Sequence, residues 1–514
     1  MSDAGPRPLA VLLDEAVADH ADDVALRMDE SSWTYGELQA MVDRTATALA
    51  THGVAVGSRV ALSAGNSAEF VATVFATARL GATVVMISTA WREREVAHAL
   101  ALTRPTHLVI DSSGATDLAR LVTDRPVLDI AELAGAVNQP PDPSIDGDID
   151  THIDPPIDID SLAVMVFSSG TTGLPKAVQH THRTLFHGTL HWVDALGMTN
   201  ADRLQIATPP FHILGLLNLY AVVAAGASAR LHRRFDLDTV LHAIETDGIT
   251  IEMAVAPIAL AIASHPDLER FDLSTLRYIM WGATPVTASV AETITRRTGV
   301  PVMAAYGASE LPFISANPVD RPDEWRLDSV GPPPADVAVR VVDLDTGDLL
   351  GPGRPGELQL RSPSLMVGYL TDDLTDDEEN TSSDRSIVDG WYATGDVGTV
   401  DADGWITITD RVKEMIKVNG FQVAPAEVEG VLLGHTAVTD CAVFGVPDER
   451  TGERVVAAVV VRDTAATNSE ELQALVAESL ASYKRVAEVV FVDQIPRLPS
   501  GKVLRRELRA GYTN

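Results

Sequence analysis

From Val166 to Lys176 the chain reads Val-Phe-Ser-Ser-Gly-Thr-Thr-Gly-Leu-Pro-Lys, a run of residue types suited to holding an anion. The apolar stretch Leu162 to Phe167 predicts a buried strand. It leads into Ser168, Ser169, Gly170, Thr171, Thr172 and Gly173 and closes on Lys176. Glycines let backbone N–H groups turn toward a negative charge, and the hydroxyls add donors. One lysine supplies a point charge. Together they make a cradle for a polyphosphate. It is not a Walker A loop, whose G-x-x-x-x-G-K-[ST] spacing is absent here. Gly351-Pro352-Gly353-Arg354-Pro355-Gly356 does match G-x-G-x-x-G. It lies between strand-like stretches, carries two prolines and opens no helix, so a loop is expected there and not a dinucleotide site.

The lysines are informative because they are few. Only five occur, Lys176, Lys413, Lys417, Lys484 and Lys502, against 34 arginines. A compact ammonium and a planar guanidinium are not interchangeable, so a position that keeps lysine marks a need for a point charge. Two other chemistries fail. His180, His182, His187 and His191 lie close together, the last two four apart on a predicted helix, but no third-ligand motif accompanies them and no zinc site is expected. No G-x-S-x-G elbow of a serine hydrolase is present.

Ser168 to Lys176 resembles the phosphate loop of the acyl-adenylate-forming superfamily: acyl- and aryl-CoA synthetases, luciferases and peptide-synthetase adenylation domains. Further signatures follow in that family's order, from Pro209-Pro210-Phe211-His212 through Tyr306-Gly307-Ala308-Ser309-Glu310, Gly356 to Arg361 and Tyr392-Ala393-Thr394-Gly395-Asp396. Asp410 to Pro425 and Pro499-Ser500-Gly501-Lys502 complete the set. The resemblance implies ATP, Mg²⁺ and coenzyme A (or a carrier protein's phosphopantetheine), and places Glu310 as the Mg²⁺ ligand. Tyr306 would stack on adenine within the turn formed with Gly307 and Ser309, and Gly282 and Ala283 would let backbone approach the base. Asp396 and Arg411 would take the ribose. Lys502 would bridge the substrate carboxylate and the α-phosphate, where like charges must meet and positive charge is needed. Lys413 matches the family's hinge between a large and a small domain. Lys417 and Gln422 resemble residues that touch the reaction centre. Gly420 and Phe421 would face the pantetheine channel, and His212 would gate the acyl site.

Several positions depart from the family pattern. Ala177 and Ser362 stand where glycine is common, Ser309 where threonine is common, and Trp281 where a small residue is usual. A tryptophan beside the adenine and acyl sites is expected to narrow the pocket. Amino-acid-activating relatives place an aspartate soon after the equivalent of Phe211, whereas here none occurs before Asp236. A small-molecule carboxylic acid, aliphatic or aromatic, is therefore expected. Asp410 to Pro425 looks most like the 4-coumarate/medium-chain acyl-CoA ligase branch, which favours coenzyme A as acceptor over an acyl carrier protein. A non-catalytic nucleotide-binding regulator is the remoter alternative, and such a copy should have lost Glu310, Asp396 or Lys502.

The elements that must position these residues follow from periodicity. At 514 residues the chain exceeds what one core serves, so two or more domains are expected. Residues 1 to about 135 and 161 to about 330 each alternate helical and strand-like patterns, predicting two α/β layers with largely parallel sheets. Residues 331–410 turn to short strands with Gly/Pro turns, read as a small β-barrel or sandwich, with an exposed acidic loop at 371–389. A mixed α+β unit of about 100 residues closes the chain. The resulting division is a large AMP-binding domain over 1–411 and a small mobile C-terminal domain over 412–514, hinged near Lys413, an acyl-CoA synthetase-like α/β architecture. The Pro/Asp-rich stretch 138–160 reads as a connector, since it lacks a calcium loop's spacing. No signal peptide is apparent. Ile213 to Ala229 approaches a spanning length without charge, but Gly215, Asn218, Gly226 and Ser228 favour a buried helix plus loop. One cysteine, Cys441, allows no intrachain disulfide, and with the missing signal this points to the cytoplasm. A net charge of −33 excludes nucleic acid and anionic membrane as partners, since both need basic footprints.

Overall fold

The structure, a computed structural model, describes residues 5–111, 122, 125–135, 157–168, 174–282, 286, 288–370, 386–419, 421–448, 450–461, 467–497 and 503–513. Two large sheets form its main body. The first runs Gly368–Tyr369, Lys176–Thr181, Leu162–Ser168, Thr83–Met86, Arg59–Ser63, His107–Ile110, Val127–Asp129. The second runs Ser315–Ala316, Val302–Tyr306, Tyr278–Trp281, Ile251–Ala254, Arg203–Ile206, Ser228–Leu231, Val24–Met28, Ser31–Thr34. Both are parallel at their centres; the second is antiparallel at both edges, the first only at the Gly368–Tyr369 end, since Val127–Asp129 pairs parallel with His107–Ile110.

The serial division expected from periodicity is corrected in one respect: each sheet draws strands from both halves. Val24–Met28 crosses into the second sheet with Leu26 beside Ala229, and Leu162–Ser168 enters the first with Val164 beside Val84. The shared core between the sheets makes this exchange favourable. Helix Ala68–Arg79 is buried at every position but Glu69, as an internal helix must be. Helix Tyr35–Thr51 begins with a reciprocal Thr34/Glu37 capping box. Its Tyr35 hydroxyl then donates to the carbonyls of Val222 and Ala227, 3.1 and 2.6 Å away, tying the N-terminal helices to the second sheet.

Residues 338–411 form the third sheet in the region expected to be barrel-like. It is open and antiparallel, in the order Ala338–Val342, Gly356–Arg361, Trp391–Val400, Ile387–Val388, with Ile406–Arg411 also on Trp391–Val400. The Gly351–Gly356 run is a turn leading into one of its strands, as expected. The fourth sheet belongs to a separate C-terminal domain: Phe421–Val423, Ile416–Val418, Gly452–Val461, Val438–Asp448, with Val486–Phe491 parallel to Gly452–Val461. Helices Pro425–Leu433 and Ser469–Ser479 cover one of its faces and Arg505–Thr513 the other. Cys441 is buried in this core.

Ile213 to Ala229 resolves into helix Ile213–Ala224, a turn and a strand, and among the described residues no helix is long and apolar enough to cross a membrane. The four clustered histidines disperse. His180 bonds the Ser309 carbonyl, His182 accepts the Leu9 N–H, and His191 pairs with Asp336, and among the described residues no metal-holding group forms. Of the connector expected at 138–160 and the acidic loop expected at 371–389, residues 138–156 and 371–385 lie outside the described residues.

One polar chain is buried in the second sheet. Glu252 takes a hydrogen bond from Gln205, whose carbonyl oxygen accepts from His232 at 2.8 Å. Burial lifts the Glu252 carboxyl to about 8. Unfolded, that carboxyl ionises near 4.5, so the unfolded chain holds fewer protons between these values and stability falls as pH rises through that window. Glu252→Gln should flatten this decline in thermal unfolding between pH 5 and pH 8.5; parallel wild-type and variant profiles would show that Glu252 does not titrate there.

Candidate active site

The strands Leu162–Ser168 and Lys176–Thr181 form an antiparallel hairpin in which Ser168 lies opposite Lys176. Of the polyphosphate cradle expected from sequence, the structure describes these two flanking residues. Ser169, Gly170, Thr171, Thr172 and Gly173 lie outside the described residues, as do Ala283, Gly420 and Lys502. Ala177, irregular by the family pattern, is fully buried in a core cluster with Val85, Met165 and Phe167, so its methyl is housed. Its carbonyl accepts from Leu370 N–H at 2.9 Å, which helps bring the short strand Gly368–Tyr369 alongside.

That strand carries a residue the sequence did not single out. The Lys176 ammonium sits 4.5 Å from the centre of the Tyr369 ring. The Tyr369 hydroxyl donates to Glu310 Oε1 at 2.6 Å. Burial, then the Glu310 charge, holds the Tyr369 hydroxyl protonated far above its ordinary range. Glu310 itself is buried, 8 % exposed, at the end of the turn that follows strand Val302–Tyr306.

This turn is fixed from several sides. Ala308 N–H donates to Leu311 at 2.9 Å, Met366 N–H to the Glu310 carbonyl at 2.8 Å, and His180 Nε2 meets the Ser309 carbonyl at 2.7 Å. Burial pushes the His180 imidazole down to about 4, which keeps it neutral and makes Nε2–H the donor. Gly307 is required sterically, since a Cβ there would fall well inside contact distance of the Pro312 carbonyl oxygen.

At the turn's other end the Tyr306 hydroxyl donates to Asp396, which is 5 % exposed. Arg411 Nε lies 2.8 Å from the other Asp396 oxygen, and the two residues are register partners across adjacent strands of the third sheet. Burial first and the Asp396 charge second raise Tyr306 well above the phenol range, while Asp396 raises Arg411. Two hydroxyl–carboxylate links, Tyr369–Glu310 and Tyr306–Asp396, thus converge on one five-residue turn. The structure brings Ser168, Lys176, Tyr306, Gly307, Ser309, Glu310, Asp396 and Arg411 together.

His212 stands at the N-terminal cap position of helix Ile213–Ala224 without a side-chain capping bond, its ring 4.7 Å from that of Phe211, and burial lowers its pKa. Gly215 lets this helix approach the Pro209-Pro210 turn, where a Cβ would lie 2.7 Å from the Pro209 oxygen. Gly282 follows strand Tyr278–Trp281, where a Cβ would meet the Ala305 oxygen at an ordinary contact distance of 3.7 Å. Trp281 is 1 % exposed and belongs, with Leu241, Ile258 and Ile294, to the apolar cluster behind the second sheet.

The C-terminal residues sit on a different element. Lys417 and Gln422 face each other across the hairpin Ile416–Val418/Phe421–Val423. Phe421 is 54 % exposed and stacks on Tyr483 at 4.6 Å. Lys484 is held by both Glu427 oxygens at 2.5 Å, a structural use of that lysine. Lys413 lies in the turn that joins the third sheet to the fourth. Beside it Asp410 receives the N–H of Ala426 at 2.9 Å at the start of helix Pro425–Leu433.

The fold is that of an acyl-adenylate-forming enzyme, in the acyl-CoA synthetase branch. The chain belongs to the AMP-binding enzyme family, whose model matches residues 13–370, with the AMP-binding enzyme C-terminal domain matching 427–502. It is 34 % identical to 4-coumarate–CoA ligase 5 of Oryza sativa subsp. japonica over 98 % of this chain and 94 % of the relative. Among solved structures it resembles ATP-bound MatB from Rhodopseudomonas palustris, at 26 % identity, TM-score 0.87 and 99 % of both chains. It also resembles o-succinylbenzoate CoA synthetase (MenE) from Bacillus subtilis in complex with the acyl-adenylate intermediate OSB-AMP. There the identity is 29 %, the TM-score 0.83, and 98 % of this chain and 99 % of that one are covered.

Gly307→Ala should force the Tyr306–Glu310 turn off the Pro312 carbonyl and cost about 1–3 kcal/mol in denaturant unfolding, the usual penalty for overpacking. An unchanged midpoint would show that the turn yields without strain.

Proposed function

We propose that this enzyme uses ATP and Mg²⁺ to convert a carboxylic acid to its acyl-adenylate with release of pyrophosphate, then passes the acyl group to coenzyme A, giving a thioester and AMP. The observation that carries this is the convergence of Lys176, Glu310, Asp396, Tyr306 and Arg411 around one turn at the mouth of the phosphate hairpin. The names of the relatives support the thioester product and an acid substrate, and leave aliphatic and aromatic acids both open.

The donor set fits Mg²⁺. That ion is typically bound by one or two carboxylates together with substrate phosphates and water, not by an all-protein cage. Glu310 is a single buried carboxylate beside the lysine that closes the phosphate hairpin, and among the described residues no larger cluster of ligands competes with it. Bound there, the ion would supply charge neutralisation on the phosphates.

The chain's own groups divide the remaining work. The hairpin loop with Ser168 and Lys176 grips the pyrophosphate end. Tyr306, Gly282, Ala283, Gly307 and Ser309 hold the base, and Asp396 and Arg411 hold the ribose, with Asp396 accepting hydroxyl hydrogen bonds. Lys502 brings its ammonium to the point where the acid's carboxylate meets the α-phosphate, offsetting repulsion in the transition state. His212 closes the acyl side. After adenylate formation the small domain turns about Lys413, withdraws Lys502 and presents Lys417, Gln422, Gly420 and Phe421 along the thiol's approach. Separating the half-reactions by domain movement shields the adenylate from water until the acceptor arrives.

The test is an acid panel assayed for ATP–pyrophosphate exchange, then for AMP and thioester with free coenzyme A. Exchange dependent on the acid and abolished in Lys502→Ala is expected. No exchange with any acid would overturn the assignment, and product formed only with a phosphopantetheinylated carrier protein would replace coenzyme A as acceptor.

A further inference from the structure

Lys176 and Glu310 are opposite charges within reach of one aromatic ring, and among the described residues no ion pair joins them. Tyr369 stands between. Its face carries the Lys176 ammonium, and its hydroxyl, at the ring's far edge, carries the Glu310 carboxylate. The ring is held in place by backbone: Tyr369 pairs with Val178 and Gly368 with Gln179 on the lysine's own strand. The flanking Met366 N–H bonds the Glu310 carbonyl. One short segment, residues 366–370, thus touches both the phosphate hairpin and the acidic turn.

We propose that Tyr369 is a positioning residue for the metal–phosphate site: it orients the Glu310 carboxylate by its hydroxyl and keeps Lys176 and Glu310 from collapsing into a salt bridge by its ring. The inference rests on Glu310 being the Mg²⁺ ligand. A carboxylate with one oxygen already engaged presents the other in a defined direction, as groups behind metal ligands commonly arrange. A lysine on an aromatic face keeps its full charge and is only partly desolvated, so it stays ready for a phosphate. A direct Lys–Glu pair would neutralise both groups and have to be broken each time nucleotide binds. Phenylalanine could seat Lys176 but would leave a buried carboxylate oxygen without its donor. An aliphatic residue would do neither.

Two variants separate the two functions, Tyr369→Phe and Tyr369→Leu. The readouts are the Mg²⁺ concentration for half-maximal pyrophosphate exchange, Mn²⁺ affinity of the ATP-bound enzyme by electron paramagnetic resonance, and AMP affinity without metal by calorimetry. Tyr369→Phe should raise the half-saturating Mg²⁺ and weaken Mn²⁺ by about 10–100-fold, the range typical when a ligand loses its outer partner. AMP affinity should be unchanged. Tyr369→Leu should show the same metal defect and in addition weaken ATP, with AMP again unchanged. Wild-type metal dependence in Tyr369→Phe would overturn the proposal, and so would a parallel loss of AMP binding, which marks a structural role. Failure of the wild type to exchange pyrophosphate would instead count against the enzymatic assignment, while the Mn²⁺ measurement would still decide the role of Tyr369.

Discussion

The buried Asp396 carboxylate is the constraint on which the rest of the site depends. An ionised carboxylate removed from water is costly unless paired and hydrogen-bonded. Here one oxygen takes the Tyr306 hydroxyl and the other the Arg411 guanidinium. Those three residues come from the end of the penultimate strand of the second sheet and from two adjacent strands of the third. Satisfying one charge therefore locks two sheets together at a fixed point. It also sets where the Tyr306–Glu310 turn begins, and Tyr369 and His180 fix where it ends. The chain then leaves Arg411 directly into the turn containing Lys413, so the same strand that completes the charge pair starts the passage to the C-terminal domain.

Much of this was legible in the sequence, for physical reasons that differ by residue. Leu162 to Phe167 followed by small hydroxyl residues, glycines and a lysine reads as a buried strand running into a loop, and Ser168 and Lys176 close a hairpin. Helical spacing is likewise readable over 14–19 and 35–50, which lie within the observed helices Ala10–His20 and Tyr35–Thr51. The exchange of strands between the two large sheets was not legible, because periodicity reports which face of an element is buried and not which neighbour buries it. Val24–Met28 has no local property that sends it to Ala229 rather than Thr83.

Trp281 and Tyr369 follow the same logic. Trp281 is placed by its motif beside the adenine and acyl sites, and strand alternation sets the side to which its ring points. Met280 faces the core between the sheets, and Trp281 faces the helices behind. Tyr369 escaped notice because its strand is two residues long and its partners are 193 and 59 positions away in sequence, at Lys176 and Glu310. No spacing rule reaches that far. The lysine census did better as a guide to where charge is used than to how: Lys176 rests on a ring, whereas Lys484 is spent on Glu427 within the C-terminal domain.

The central claim is that the Tyr306–Asp396–Arg411 cluster is built to hold a nucleotide. It is tested most directly by calorimetric titration of AMP into the wild type and Asp396→Asn, a change that keeps shape and removes charge. The account predicts a saturable site in the wild type, and in the variant an affinity lower by about 10-fold or more, the scale of losing a charge-assisted hydrogen bond. Equal affinity in the two proteins, with the variant folded, would contradict it.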